Sequence, residues 1–556
     1  MRPRNQSTLN NRESIGQRDG TYPVSVQALQ PSLVSCLEFH VRTGKENDVV
    51  IGLDSSTTAT KAIAWRRDGT IAGQGRSPVP LLSPANNWYE QNPEEWWRSA
   101  CSALQQLFQY VAPTQVAATA IANQRETFVP LGPSGAPVRP AIVWLDQRCE
   151  EEVAWLADRV GHERIHQITG KPPDMAPVAY RIAWMLRHER ELVDRTAMFA
   201  DVHAYLAWRL TGTFHTSWAS ADPLGLFDME QKYWSPEVLD ALDLSPERLP
   251  QPVCPGTVIG ATSEQAAAAT GLRAGTPVVA GGGDGQAAGL GVNALTAERA
   301  YLNLGTAVVS GIYSPDYRIG NAWRTMGSCS GKGFYFETSL RAGTFIADWF
   351  AHQLCRAAEG DTEIHRTLET EAAAVPIGSD GLLTLPYWGA VMTPYWDPDA
   401  RGCFVGLSAF HHRGHLYRSL LEGIALEQAL VTAMIEEATG ITVKEFIAIG
   451  GGAASDLWCQ IMADTTAKPV RRSRTVEASS LGAGICAAVG AGWYSSAAEA
   501  AQAMSDDVLR DSQPSRDNCS RCAELLDTYR QIYPAFREIF SELAQAKRDA
   551  SHRTPG

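Results

Sequence analysis

The sequence predicts a mixed α/β protein built from two similar units with a cleft between them. Early in the chain, a short β-branched run ends in a carboxylate and is followed by a polar turn and a second strand. The second half repeats this arrangement, which indicates a duplicated unit. The first copy is residues 49–54 (VVIGLD), 55–58 (SSTT) and 60–65 (TKAIAW), and the second is residues 300–304 (AYLNL), 305–306 (GT) and 308–313 (VVSGIY).

The overall charge excludes some classes of partner. With 48 Lys and Arg residues against 61 Asp and Glu residues, the formal charge of the 556-residue chain is −13. This negative net charge provides no electrostatic attraction for nucleic acid or for an anionic membrane surface. We therefore expect a small-molecule partner, with neither nucleic acid nor a membrane as partner, and leave open whether the chain forms a homodimer. Eleven Cys residues, an odd number without framework spacing, indicate reduced thiols and hence the cytoplasm.

Composition also divides the chain into segments. Residues 1–47 are rich in Asn, Ser, Gln and Arg and show no apolar period, which predicts a disordered N-terminal tail. Residues 48–295 form the predicted first domain, and residues 296–547 form the second. Residues 548–556 are expected to be a short C-terminal tail.

Local signals predict further elements in both units. Asp68 and Gly69, a pair that tolerates the positive φ of a tight turn, join the strand at 60–65 to another at 70–73. The charge-free stretch at 478–498 is rich in Ala, Gly and Ser, which favours a packed helix over a membrane span. The other predicted elements are strands 116–122, 141–145 and 445–449 and helices 94–110 and 150–160.

Glycine-containing loops follow several of these strands. The pattern GxxxxGK[ST] is absent and no complete GxGxxG follows a strand, so phosphate must be held in another way. Backbone N–H groups and hydroxyls of Thr57, Thr58 and Thr306 could form anion-binding nests on two facing hairpins. An adenosine could then rest on the loop at 450–452. Each loop taken singly is also explained by the positive φ that a tight turn needs.

Four segments together resemble the FGGY family of carbohydrate kinases, which belongs to the actin-like ATPase superfamily. Residues 54–58 are similar to the family's first phosphate motif, and residues 304–306 (LGT) are similar to its second. Residues 449–453 (IGGGA) resemble its adenosine motif, and residues 401–422 resemble its C-terminal signature. The resemblance spans about residues 48–540, with the motifs in the family's order.

The resemblance implies two duplicated actin-like (ribonuclease H-like) domains that close around ATP, Mg²⁺ and a sugar or polyol. Asp284 occupies the family's general-base position, where a carboxylate can accept the proton of the hydroxyl nucleophile. By itself, an Asp beside glycines is also typical of a turn. Asp54 matches the acidic residue that holds Mg²⁺, directly or through water. The nucleotide-binding residues that the resemblance implies are Thr57, Thr58, Gly305, Thr306, Gly451, Gly452 and Ala453.

Substrate-binding residues are implied at the ends of two strands. Arg125 and Glu126 match the Arg-Glu pair of glycerol kinases, in which the guanidinium donates to substrate hydroxyls and the carboxylate accepts from them. Without that context, such a pair could equally be a surface salt bridge. Trp144 follows the next strand, and Gln286 resembles the Gln that follows the catalytic Asp in those enzymes.

Departures from the family pattern bear on the substrate. An ungapped comparison places Ala176 where glycerol kinases have a substrate-contacting Tyr, which enlarges the pocket. Arg181 stands where the family signature usually has Lys. Residues 278–284 and 300–313 look more like xylulokinases, yet the Met-His-Gly of typical xylulokinases is absent at 124–126.

We therefore predict an ATP-dependent kinase of a small ketose or polyol, with a xylulose-like pentulose as the first candidate and glycerol as the second. The alternative from another class is a sugar sensor on the same fold that binds nucleotide without transferring phosphate. The presence of Asp284 argues against the sensor, because a sensor needs no general base.

Overall fold

The computed structural model describes residues 48–358, 361–505 and 508–553. The predicted disordered tail, residues 1–47, lies outside these ranges, as do residues 554–556. The predicted C-terminal tail beginning at residue 548 is in part helical, because the last helix continues to Arg553.

Strands and helices are interspersed along the described chain. In chain order the strands are β1 (Val49–Ser55), β2 (Ala59–Trp65), β3 (Ile71–Pro78), β4 (Glu90–Gln91), β5 (Val116–Asn123), β6 (Phe128–Leu131), β7 (Ala141–Ile142), β8 (Met198–Asp201), β9 (His215–Ser217), β10 (Phe227–Asp228), β11 (Tyr233–Trp234), β12 (Gln251–Val253), β13 (Val258–Ala261), β14 (Pro277–Gly283), β15 (Arg299–Leu304), β16 (Val308–Ser314), β17 (Arg324–Gly327), β18 (Phe334–Leu340), β19 (Leu383–Leu385), β20 (Cys403–Val405), β21 (Glu445–Ile449), β22 (Val470–Ser473) and β23 (Val508–Ser512).

The helices cover the faces of the sheets that these strands form. In chain order they are α1 (Pro93–Leu107), α2 (Glu150–Val160), α3 (His162–Thr169), α4 (Val178–His188), α5 (Arg190–Arg195), α6 (Val202–Thr211), α7 (Trp218–Ala221), α8 (Pro236–Ala241), α9 (Glu264–Thr270), α10 (Asp284–Gly291), α11 (Thr344–Trp349), α12 (Thr362–Ala373), α13 (Arg413–Thr439), α14 (Asp456–Thr466), α15 (Ala478–Gly490), α16 (Ala497–Met504), α17 (Arg516–Tyr529) and α18 (Ile532–Arg553).

Two large mixed sheets carry the fold, and they share one strand order. The first sheet runs β13-β14-β5-β1-β2-β3, and the second runs β23-β22-β21-β15-β16-β18-β17. In each sheet the central strand, β1 or β15, pairs antiparallel with the next strand in the chain. The same central strand pairs in parallel with a later strand, β5 or β21, which in turn pairs in parallel with β14 or β22. This common topology confirms the predicted duplicated α/β fold.

Each face of the first sheet is packed by different helices. Side chains of successive residues point to opposite faces of a strand. Val49, Ile51 and Leu53 of β1 accordingly pack with side chains of α1 and α6, whereas Val50 packs with side chains of α10 and α15. The sheet is therefore buried on both sides, as its continuous apolar strands predict.

The packing of helix α15 does not follow the order of the chain. Although it lies between β22 and β23 of the second sheet in the chain, it packs on β1, β5 and β14 of the first sheet. Small residues allow this approach, because a Cβ built on Gly52 of β1 would lie 1.9 Å from the carbonyl oxygen of Ser480 on α15, and one built on Gly482 would lie 1.9 Å from that of Ala287 on α10. Helix α15 therefore ties the two halves together, and the boundary at residues 295 and 296 stays a prediction.

Most predicted elements are observed, with differences at their ends. The hairpin turn forms at Asp68 and Gly69, which has a φ of 74°. The predicted strand at 141–145 is shorter, because β7 ends at Ile142 and the following residues turn, with Asp146 donating its N–H to the carbonyl of Val143. In the described part of the chain, no helix is both long and apolar enough to cross a membrane.

Candidate active site

The functional residues predicted in the first half lie at one edge of its sheet. Strands β1, β5 and β14 are parallel neighbours, so their carboxyl ends meet at the same edge. Asp54 lies near the end of β1, Arg125 and Glu126 follow β5, and Asp284 follows β14. Ligands of open α/β sheets bind at this edge, in the crevice beyond the carboxyl ends of parallel strands.

Asp284 is the first residue of α10 and lies in contact with Arg125. The Nε atom of Arg125 is 2.9 Å from Oδ1 of Asp284, and the side chain of Asp284 is 40% exposed. The N–H of Gly285 also donates to Oδ1 at 2.8 Å. Desolvation by the surrounding protein raises the pKa of Asp284, while Arg125 acts in the opposite direction. The carboxylate is thus held in place on one side and remains open on the other.

Asp54 is a buried carboxyl group with an unused oxygen. Its Oδ1 atom is buried and has no hydrogen-bond partner among the residues that the structure describes. Burial, followed by the nearby charge of Asp284, raises the pKa of Asp54 to about 7, although Lys61 opposes this shift. Lys61 lies opposite Asp54 on β2 but pairs with Glu477, at 2.6 Å. A cation near Asp54 would therefore satisfy an oxygen that the protein leaves unpaired.

A chain of buried charges joins the two halves at Arg125 and Glu126, the predicted sugar-binding pair. Nη1 of Arg125 lies 2.8 Å from Glu337, and Nη2 of Arg324 lies 2.7 Å from Glu337. Nη1 of Arg324 continues the chain to Glu126, also at 2.7 Å. Burial opposes ionisation of Glu337, but Arg125 and Arg324 outweigh it and lower the pKa of Glu337 to about 2. Positive and negative groups therefore alternate from Asp284 to Glu126.

No role was predicted for Arg324 or Glu337, which lie directly opposite each other on the paired strands β17 and β18. Their contacts with Glu126 and Arg125 join residues about 200 positions apart, so no spacing rule could have predicted them. One signal was nevertheless present, because Glu337 directly follows an apolar run, residues 334–336 being Phe, Tyr and Phe. A fully buried carboxylate requires a charged or hydrogen-bonding partner.

A second branch of this network reaches Gln286. The side-chain amide of Gln286 is fully buried and donates to the carbonyl of Ala219 at 2.9 Å and to Asp222 at 3.2 Å. Both N–H groups of the amide are thereby used, and its oxygen accepts from Nη1 of Arg125 at 3.5 Å, which links it to the network. Lys171, whose pKa burial lowers to about 8, lies 3.6 Å from the same carboxylate of Asp222.

Backbone carbonyl groups of the predicted sugar-binding loops converge on Arg181. This side chain is fully buried and donates to the carbonyl oxygens of Glu126 at 2.7 Å, Trp144 at 3.0 Å and Ala176 at 2.9 Å. Glu126 adopts a positive φ of 48°, which is uncommon for a residue with a side chain. Arg181 therefore holds together three loops in which the sequence placed substrate residues, and it stabilises the strained one.

Trp144 connects the predicted sugar-binding loops to the predicted first phosphate motif. Its indole Nε1 donates to Oγ1 of Thr57 at 2.9 Å, and its ring is 37% exposed. Thr57 is half-buried and Thr58 is exposed, both in the turn between β1 and β2. The two predicted sites of the first half are thus adjacent.

The predicted nucleotide residues of the second half also lie together. Gly305 and exposed Thr306 form the turn between β15 and β16, and the loop at 451–453 follows β21, the parallel neighbour of β15. Gly450 has a φ of 83°, and a Cβ there would lie 2.4 Å from Oδ1 of Asn303. This glycine lets the second loop cross the end of β15. Apart from its chain neighbours, no described residue has an atom within 4 Å of a Cβ built on Gly451, so this backbone is open to a ligand.

Comparison with known proteins identifies the family. The family model described as "FGGY family of carbohydrate kinases, N-terminal domain" matches residues 49–291, and the model of the C-terminal domain of the same family matches residues 300–491. The chain belongs to the FGGY family of carbohydrate kinases. This FGGY kinase is a phosphotransferase that acts on an alcohol group of a sugar or polyol, with ATP as the second substrate.

Individual relatives of this FGGY kinase carry two different names. A "Xylulose kinase" of Bacillus subtilis (strain 168) is 27% identical over 504 residues, covering 90% of this chain and 99% of the relative. A "Glycerol kinase" of Bordetella parapertussis is 30% identical over 475 residues, covering 81% of this chain and 90% of the relative. The crystal structure of xylulose kinase from Rhodospirillum rubrum matches with a TM-score of 0.79 at 28% identity, over 89% of this chain and 100% of that chain.

Proposed function

We propose that this FGGY kinase transfers the γ-phosphoryl group of ATP to a hydroxyl of a small, uncharged ketose or polyol, with a xylulose-like pentulose as the preferred substrate. The observation that carries the proposal is the carboxylate of Asp284. It is fixed by Arg125 at 2.9 Å, yet is 40% exposed at the edge where sugar and nucleotide residues converge. A carboxylate in this position can accept a proton from a substrate hydroxyl.

The charges around Asp284 favour an uncharged substrate. Arg125 and Arg324 are each paired with carboxylates, and Asp284, Glu126 and Glu337 together outnumber them by one. Lys171 is likewise matched by Asp222. A sugar acid would find no unpaired cation among these groups. A neutral sugar can exchange hydrogen bonds with the guanidinium and carboxylate groups without adding charge.

The size of the site favours a substrate longer than glycerol. Ala176 presents only a methyl group at the position where the resemblance would place a Tyr, and it lies against the sugar-binding loops through its contact with Arg181. Removing an aromatic ring from a pocket wall leaves room for more substrate atoms. Glycerol is the second candidate, because relatives named glycerol kinase match this chain at up to 31% identity.

In the proposed reaction, the residues of the site orient the sugar and accept the proton of its hydroxyl. Arg125 and Glu126 orient the sugar through its hydroxyls, and Trp144 borders the same pocket. Asp284 accepts the proton of the attacking hydroxyl as the phosphoryl group arrives. Arg125 steadies the ionised form of Asp284, because a nearby cation lowers the pKa of a carboxyl group.

The nucleotide lies, in this proposal, across both hairpin turns. Backbone N–H groups and hydroxyls of Thr57, Thr58, Gly305 and Thr306 bind the phosphates, and the loop at 451–453 holds the adenosine. Asp54 would hold Mg²⁺, which neutralises phosphate charge when bound. The unpaired oxygen of Asp54 fits this task, and magnesium commonly uses only one or two carboxylates. The absence of a three-residue metal cluster in the described residues is compatible with such sparse ligation.

The decisive experiment is a coupled ADP-release assay with Mg²⁺–ATP over pentuloses, tetritols, hexuloses, sugar acids and glycerol. We expect the highest kcat/KM for a pentulose, a lower value for glycerol and the lowest for sugar acids. A higher kcat/KM for glycerol would replace the pentulose by the second candidate. Nucleotide and sugar binding without any sugar-dependent ADP release would contradict the proposed transfer.

A further inference from the structure

We propose that Arg324 and Glu337, which belong to the second sheet, position the sugar-binding pair Arg125 and Glu126 of the first half. The sugar site is then complete only when both halves are in contact. This inference rests on the proposed function, since it takes Arg125 and Glu126 as the residues that contact sugar.

Arg324 holds one oxygen of Glu126 and leaves the other available. Its Nη1 lies 2.7 Å from Oε1 of Glu126, while its Nε and Nη2 contact Oε1 of Glu337 at 2.8 and 2.7 Å. Within the described residues, Oε2 of Glu126 makes no hydrogen bond. A carboxylate fixed through one oxygen presents the other in a defined direction, which suits the recognition of a particular hydroxyl.

Glu337 does the same for Arg125. Its two oxygens lie 2.9 and 2.8 Å from Nη1 of Arg125, and the hydroxyl of Tyr301 donates to one of them at 2.8 Å. The Nε of Arg125 is thereby aimed at Asp284. Each group of the sugar-binding pair is thus oriented by an opposite charge from the second sheet.

Stability alone gives a weak reason for these charges. Burying an ion pair requires desolvation that roughly offsets its attraction, so an apolar pair of similar volume would serve packing as well. Orientation is a task that an apolar pair cannot perform. The contacts fall on the two residues next to the catalytic carboxylate, one of which has a strained backbone, and strain of this kind is concentrated at functional sites.

The test compares Arg324→Met and Arg324→Lys with the parent enzyme, measuring sugar KM, kcat, ATP KM and melting temperature. We expect Arg324→Met to raise sugar KM roughly 10- to 100-fold, the value of a hydrogen bond to a charged group, with ATP KM nearly unchanged. Arg324→Lys should recover part of the loss, because it restores the charge without the planar fork.

Arg418→Met is the matched control. Arg418 also forms a buried pair, 2.8 Å from Glu422, but both residues lie on α13. This variant should lower the melting temperature without changing sugar KM. An equal rise in sugar KM in both Met variants would show a general effect of destabilisation and would overturn the inference.

Glu126→Gln, alone and with Arg324→Met, separates this inference from the proposed function. If Arg324 acts through Glu126, the two changes together should raise sugar KM by much less than the product of their separate effects. Multiplicative effects, or an unchanged sugar KM in Arg324→Met, would overturn the inference while leaving the proposed reaction intact. An unchanged sugar KM in Glu126→Gln would instead remove Glu126 from the proposed site, and the inference with it.

Discussion

The turns of the two equivalent hairpins, β1–β2 and β15–β16, have the same topology and different chemistry. Asp54 occupies the next-to-last position of β1, and Asn303 occupies that position in β15. Opposite them across the antiparallel pair are Lys61 and Val309. The first turn is therefore surrounded by charge, whereas the second offers an amide, a hydroxyl and backbone groups. The same position of the duplicated fold thus carries different chemical groups in the two halves.

The other charged groups near these turns are likewise divided unequally between the two halves. In the first half the charge of Asp284 raises the pKa of Asp54, and the charge of Arg125 opposes the rise in the pKa of Asp284. The second half contributes Arg324 and Glu337, which pair with Glu126 and Arg125, and Glu477, which pairs with Lys61. We infer that reaction chemistry lies with the first half and nucleotide affinity mainly with the second. Variants in each half should then fail in different measurements.

The largest expected effect is that of Asp284→Asn in the first half. Asparagine keeps the shape but cannot accept the substrate proton, so kcat should fall by roughly 10²–10⁴-fold, or about 2.7–5.4 kcal/mol. Sugar binding, followed by tryptophan fluorescence, should persist because the hydrogen-bonding groups remain. If Asp284 is only a turn residue, the variant would lose some melting temperature and keep its kcat.

In the second half, Glu427 is a buried carboxyl group outside the proposed site and serves as a contrast to Asp284. It is 2% exposed and accepts hydrogen bonds from Tyr387 at 2.9 Å and Tyr529 at 2.6 Å. Burial raises its pKa to about 7 despite these two donors. Between its usual value near 4.5 and 7, the folded state binds the proton and the unfolded state does not. The free energy of unfolding therefore falls as pH rises through this window and levels off above it.

The Glu427→Gln substitution should remove this decline in the free energy of unfolding with rising pH. Above pH 7 the variant should be more stable than the parent by up to roughly 3 kcal/mol, at 1.36 kcal/mol per pKa unit. Denaturant unfolding of both proteins at several pH values measures the difference, in which other titrating groups cancel. Stability curves that remain parallel between pH 4.5 and 7 would contradict the raised pKa. We expect kcat to change little, because this acid serves packing.

Asp54→Asn tests the charge of the first turn directly. If Asp54 holds Mg²⁺, the concentration needed for half-maximal activity should rise by roughly 10- to 100-fold, the range found when groups supporting a metal are removed. Asn303→Ala, at the equivalent position of the second half, is the matched control and should leave the magnesium requirement unchanged. A similar shift in both variants would show that the two turns do not differ in metal binding.

Much of this difference between the two halves could be predicted from the sequence, because the sequence signals that indicate it are local. Strand periodicity and the polar turns located β1, β2, β15 and β16, and the resemblance assigned Asp54 and Asp284 their proposed roles. The contacts of Glu337 with Arg125 and of Arg324 with Glu126 were missed. They join residues about 200 positions apart, and hydrogen-bond geometry at that separation leaves no period in the sequence.

Two further features depended on the three-dimensional packing. Arg181 was noticed only as a substitution for Lys, yet its guanidinium donates to carbonyls of several separate loops. A fork of five N–H donors can serve such a set, whereas the three donors of Lys could not reach as many. The placement of α15 on the first sheet was missed because chain order suggested the second.

The smallest expected effect belongs to the uncharged turn. Thr306→Val nearly keeps the side-chain shape and removes one hydroxyl, whose hydrogen bond to a phosphate in this exposed turn contributes about 1.5 kcal/mol, the lower end for a charged partner, or roughly a 10-fold rise in ATP KM. Sugar KM should stay unchanged, since the sugar-binding pair lies in the other half. Thr367→Val on α12 is the control, because its hydroxyl only donates to the carbonyl of Glu363 within that helix. A rise in sugar KM with ATP KM unchanged would place the second turn at the sugar, and the two hairpins would then share one task.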